Sequence, residues 1–207
     1  MDFVELSIES LREESKRLAG IIAKDWQPDL VIYLAKGGFL IGEEIAIYFN
    51  AGLLEFDVHR TGDKVKQNSA IILSKLPKYI RKKLRESELK TRFKADNGQT
   101  QSKTLHLTKR YQISINPMRV LIVDDSADTG SSLLSAKNLA EALFPNVEIK
   151  IATLNVFDEA LLRVQIDWYL YANCLLGTPA SKDNKDYKKF LNLYENVLSP
   201  NSESANK

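Results

Sequence analysis

Residues 120–132 read Val-Leu-Ile-Val-Asp-Asp-Ser-Ala-Asp-Thr-Gly-Ser-Ser, and no other stretch restricts the fold of this chain as much. Four apolar residues in a row, Val120–Val123, describe a strand covered on both faces, as in a parallel sheet flanked by helices. Nine polar or small residues follow, and Ser131–Phe144 then reads as a helix. A buried strand passing through an acidic loop into a helix is the unit of an open parallel sheet, in which ligands gather where the strands end. The loop also says what kind of ligand. A helix start presents unpaired N–H groups and partial positive charge, Thr129, Ser131 and Ser132 add hydroxyl donors, and Gly130 allows close backbone approach, all of which suit a phosphate. Asp124 and Asp125 would repel that phosphate; they suit sugar hydroxyls and a nearby divalent cation. A plain helix cap would need one Asp or Ser, not three acids and three hydroxyls.

The remaining segments fit the same architecture. Ser7–Trp26 carries apolar residues at roughly helical spacing, and Leu30–Ala35 is a buried strand after the break at Gln27-Pro28-Asp29. Lys36-Gly37-Gly38 turns into a helix over Phe39–Phe49, and Leu53–Val58 is the next strand. The pattern is then interrupted: Leu76–Arg92 is a helix candidate with a narrow apolar stripe, and Lys94–Lys103 has the composition of a mobile loop. Alternation resumes with a short strand at Thr104–Leu107, strands Val147–Val156 and Trp168–Ala172, and a helix at Asp186–Leu198. The expected fold is therefore α/β, a doubly wound and mainly parallel sheet. One domain over 1–200 carries a basic helical insertion at about 60–110 and a small accessory lobe, with 201–207 a disordered tail.

Several function classes fall away. No apolar run approaches the roughly 18 residues that cross a bilayer, and the acidic N-terminal stretch MDFVELSIESLREE reads as helical and unlike a secretory signal. One cysteine, Cys174, rules out an internal disulfide, so a reducing cytoplasm is expected. His59 and His106 have no partners at metal-ligand spacing. Asp128-Thr129-Gly130 also spells an aspartic-protease signature, but that chemistry needs a second Asp-Thr/Ser-Gly, and none occurs. The net charge of +2 conceals 15 Lys/Arg against four acids between Arg60 and Arg110, which is +11 there and −9 elsewhere. That block could form a solvated helix, draw in a polyanionic small molecule, or touch nucleic acid.

The Val120–Ser132 stretch resembles the phosphoribosyl-pyrophosphate (PRPP) loop of the type I phosphoribosyltransferases: four apolar residues, two acids, two variable positions, then Asp-Thr-Gly and small hydroxyl residues. Pro28–Gly38 is similar to the first strand and pyrophosphate loop of that family, and the likeness spans about 7–58 and 104–172. The resemblance implies PRPP contacts from Lys36, Gly37, Gly38 and Asp124, Asp125, Ser126, Ala127, Asp128, Thr129, Gly130, Ser131 and Ser132. Within that set it implies ribose and magnesium ligation by Asp124 and Asp125, a pyrophosphate contact from Lys36, and Asp128 as general base. It further implies a cis peptide before Lys36 and a lid at Lys94–Lys103.

The order of elements is nearest to the hypoxanthine and xanthine-guanine phosphoribosyltransferases, including Lys103–Arg110 after the lid. Two features depart from them. The lysine that reads the purine O6 at the end of the next strand is replaced by Asn155-Val156, and the helix Leu76–Arg92 is extra. Asn155 is left as a candidate base contact, and Trp168 as either a stacking partner for a base or a core residue. The expected function is magnesium-dependent transfer of phosphoribose to a nucleobase-like acceptor, by a homo-oligomer. The alternative is a PRPP-sensing regulator that binds nucleic acid through Arg81, Lys82, Lys83 and their neighbours.

Overall fold

The computed structural model describes residues 3–58, 103–107 and 117–198. The main sheet has six strands in the order β4-β3-β2-β5-β6-β7, where β2 is Leu30–Leu34, β3 Gly52–Val58, β4 Lys103–Leu107, β5 Arg119–Ala127, β6 Glu148–Val156 and β7 Trp168–Ala172. All pairs are parallel except the edge pair β3–β4. This is the expected α/β fold with a mainly parallel sheet.

Both faces of the sheet are covered, which is why its central strands are apolar at every position rather than at alternate ones. Leu30, Ile32, Val120 and Ile122 face helix α3 (Ser131–Leu143). Val31, Tyr33, Leu121 and Val123 face α1 (Ile8–Ile22), α2 (Phe39–Phe49) and the C-terminal helix, Tyr187–Leu198. At the start of α1, Ser7 and Ser10 form a reciprocal cap in which each hydroxyl accepts the other's backbone N–H, at 3.2 and 2.8 Å.

Chain order reverses direction between β2 and β5. From β2 the chain winds outward to β3, and from β5 it winds the other way to β6 and β7. The carboxyl ends of β2 and β5 therefore border the crevice in which doubly wound sheets bind their ligands. Asp29 fixes this pair at its other end, its carboxylate accepting the N–H groups of Met118 and Arg119, both at 2.9 Å.

Three features differ from the sequence reading. Phe3–Glu5, taken as part of a helical stretch, is a strand, β1, paired in parallel with β8 (Leu175–Gly177) in a second, two-stranded sheet. Strands of three residues are too short to show a period, and this pair joins segments far apart in the chain. β5 runs four residues past Val123: Asp124, Ser126 and Ala127 stay in register with Thr153, Asn155 and Val156 of β6, so the acidic pair sits on the strand itself. A four-residue helix, α4 (Asp158–Leu161), follows β6, and Tyr187–Leu198 becomes α5.

Apart from β4, the expected insertion at 60–110, with its helix, lid and His59, lies outside the described residues, as does the tail 201–207. No helix among the described residues is long and apolar enough to cross a membrane.

Candidate active site

The Lys36 turn and the acidic loop are in direct contact. Gly37 lies so close to Asp125 that a Cβ on it would stand 2.6 Å from the carboxylate, and one on Gly38 would stand 2.8 Å from the Val123 carbonyl oxygen. These two glycines are what permit β2 and β5 to close on each other at their ends. The Ala35–Lys36 peptide is cis. Lys36 is exposed, with its ammonium 5.6 Å from the centre of the Tyr194 ring. Gly37→Ala should displace the Asp125 carboxylate with the melting temperature little changed; a structure of the variant and a thermal melt check both halves.

Asp124 and Asp125 are half-buried side by side. Burial, then the charge of Asp125, pushes the Asp124 carboxyl well above the usual carboxylate range. Asp125 is also raised by burial, against the opposing pull of the Thr178 hydroxyl, which donates to Asp125 Oδ2 at 2.8 Å. Thr178 is buried just after β8, so this contact ties the small sheet to the acidic pair. No sequence pattern marked Thr178.

Asp128 is exposed on the loop and is held from beneath. Ser126 Oγ donates to Asp128 Oδ1 at 3.1 Å and accepts from Asn155 Nδ2 at 3.1 Å. Asn155 is fully buried: its Nδ2 also reaches the Cys174 carbonyl, and its Oδ1 accepts from the Cys174 backbone N–H. The expectation that Asn155 meets a base is corrected accordingly, because its amide is spent inside the protein. It works as a strut under Ser126.

Trp168 is also placed elsewhere. It opens β7 level with Ala152, halfway along β6, and its ring lies 5.6 Å from that of Trp26. The Lys150 ammonium stands 5.3 Å from the Trp26 ring and 5.1 Å from the Trp168 ring, and Trp26 Nε1 donates to Glu148, the first residue of β6. This cluster points toward the end where the strands begin. Trp168 is thus packed against Trp26 and Lys150.

Beyond Asp128 lies a cavity of about 640 Å³. Asp125, Ser126 and Asp128 line it together with Asp158, Glu159 and Asn173, and Phe157, Cys174, Leu175 and Leu176 supply an apolar wall. Sequence reasoning missed this wall, since its residues come from two segments that meet only in the folded chain. Gly130, at φ 71°, starts α3 with no side-chain cap, and Thr129 and Ser131 hydroxyls lie 3.1 Å apart beside it.

A switch point that joins an acidic pair to an uncapped, hydroxyl-lined helix start defines an α/β protein equipped for a phosphorylated sugar. The sequence profile of the phosphoribosyl transferase domain matches residues 7–174, and the chain belongs to that family. Among solved structures, the purine phosphoribosyltransferase of Pyrococcus horikoshii is 21% identical with a TM-score of 0.58, over 88% of this chain and 95% of that one. The xanthine-guanine-hypoxanthine phosphoribosyltransferase of Helicobacter pylori is 13% identical with a TM-score of 0.57, over 90% and 99%. At such identities the likeness is one of fold. No protein of curated function matches the chain by sequence.

Proposed function

We propose that this phosphoribosyltransferase moves the 5-phosphoribosyl group from magnesium-bound PRPP to a flat, nucleobase-like acceptor, with purines favoured, and releases pyrophosphate. The observation that carries this reading is the contact of Gly37 with Asp125, which brings the pyrophosphate turn and the ribose carboxylates to one place. The C1–O bond to pyrophosphate breaks, a C1–N bond to the acceptor forms, and the acceptor's N–H proton passes to the Asp128 carboxylate. Lys36 meets the departing diphosphate. Asp124 and Asp125 hold the ribose hydroxyls, and the apolar wall of Phe157, Leu175 and Leu176 takes the acceptor ring.

The acidic pair fits magnesium. Two half-buried carboxylates whose ionisation is resisted by burial, and at Asp124 by the neighbouring charge, gain from a divalent cation beside them. No group of three or more His, Cys, Asp or Glu side chains among the described residues forms a metal cage. Such a donor set suits an ion that takes most of its oxygens from substrate and water. A divalent cation held beside Asp124 and Asp125 would supply charge neutralisation for the diphosphate.

The test is a screen of purine and pyrimidine bases with PRPP and magnesium, reading pyrophosphate release. At least one base should give release well above PRPP hydrolysis alone. If no base does so while PRPP still binds, transfer to a nucleobase is the wrong reaction.

A further inference from the structure

The loop 124–132 contains three carboxylates, Asp124, Asp125 and Asp128, and no cation. A phosphate monoester carries close to two negative charges, and a helix start supplies only about half a positive one. Hydroxyls and backbone N–H groups orient such a phosphate but leave its charge uncompensated. A cation reaching this end of the loop from another part of the chain would compensate it.

The segment after β6 delivers one. Phe157 N–H donates to the Ala127 carbonyl at 3.0 Å, and the N–H groups of Arg163 and Val164 both return to the Ala160 carbonyl, each at 3.0 Å. This closed turn is seated against Gly130, where an added Cβ would stand 2.8 Å from Val164 Cγ1 and 3.1 Å from the Ala160 oxygen. The expected reason for Gly130 was backbone approach to phosphate; its positive φ and the turn packed on it give a second. With the turn fixed, Arg163 Nη1 donates to Ser131 Oγ, on the first residue of α3.

We infer that Arg163 is the cation that binds the 5-phosphate of PRPP at the start of α3. The inference rests on the proposed PRPP site and adds to it a residue outside the loop. Its planar fork can keep one N–H on Ser131 and turn others to phosphate oxygens, which a lysine cannot reproduce. Because the site lies at the phosphate end, the effect should fall on ligands carrying the 5-phosphate and spare the diphosphate end.

The full chain is titrated with ribose 5-phosphate, with pyrophosphate plus magnesium, and with PRPP plus magnesium, as wild type, Arg163→Gln and Arg163→Lys. Arg163→Gln should weaken ribose 5-phosphate and PRPP about ten- to hundredfold and leave pyrophosphate within about twofold, with Arg163→Lys between. KM for PRPP should rise with kcat much less affected. Arg163 is exposed, so the thermal melt should stay in place. Equal weakening of all three ligands, or of none, overturns the assignment. Wild-type protein that binds PRPP and pyrophosphate but shows no contribution from the 5-phosphate also overturns it, and leaves the transferase reading standing. Failure of the wild type to bind PRPP at all removes both.

Discussion

Asp128→Ala is expected to lower kcat about a thousandfold, within the range that a positioned acid–base group contributes, while PRPP affinity holds or rises slightly. The direction of the second effect follows from charge. Asp128 stands in a loop that must accept phosphate, three residues from the start of α3, so removing its carboxylate takes away repulsion rather than attraction. Its one side-chain contact in the loop is the hydrogen bond from Ser126, itself held by Asn155, and that chain orients the carboxylate toward the cavity where an acceptor would sit. Steady-state turnover with the best acceptor, together with direct titration of PRPP, separates the two quantities. Unchanged turnover removes Asp128 from the proton transfer. A parallel loss of PRPP affinity would instead make it a substrate-binding group.

The parts of this site that sequence made legible are those written in contiguous residues. Val120–Val123 and Leu30–Leu34 are apolar throughout because both faces of their strands are covered, and that condition leaves its mark on every residue. The hydroxyls and glycine that open α3 follow the strand directly, so strand, loop and helix could be read as one unit. What escaped depends on contacts between distant segments or on where a side chain points. Thr178 lies 53 residues from the Asp125 it supports. Arg163 reaches Ser131 only because its turn seats on Gly130. Asn155 has the same letter whether its amide faces a ligand or the interior, and burial decides between them. Asp124 to Ala127 looked like loop because polar residues rarely fill a central strand. They pair because β6 continues alongside them to Val156.

The acidic pair gives the sharpest separation between what favours the fold and what favours the ligand. Asp124→Asn with Asp125→Asn should cost PRPP–magnesium affinity about a thousandfold, since two charge-assisted contacts of roughly 1.5–3 kcal/mol each are lost. The same change should stabilise the ligand-free protein. Both carboxyls titrate above their ordinary value in the folded chain, so ionising them is harder there than in the unfolded chain. That penalty is present in full above the folded-state value, where both states are ionised. It fades as pH falls through the folded-state value, and is gone once both states are protonated. Asparagine keeps an oxygen for the Thr178 hydroxyl and for the Asp125 N–H that reaches Asp124 Oδ1 at 2.9 Å, so the hydrogen bonds survive while the charges go. The ligand-free variant should therefore melt above the wild type. Thermal melts from neutral to acidic pH should show the variant's advantage shrinking on acidification. Adding PRPP and magnesium at neutral pH should reverse the order, raising the wild-type Tm above that of the variant. A variant that melts lower without ligand would mean that the carboxylates support the fold, and one that still binds PRPP tightly would place the ribose and metal contacts elsewhere.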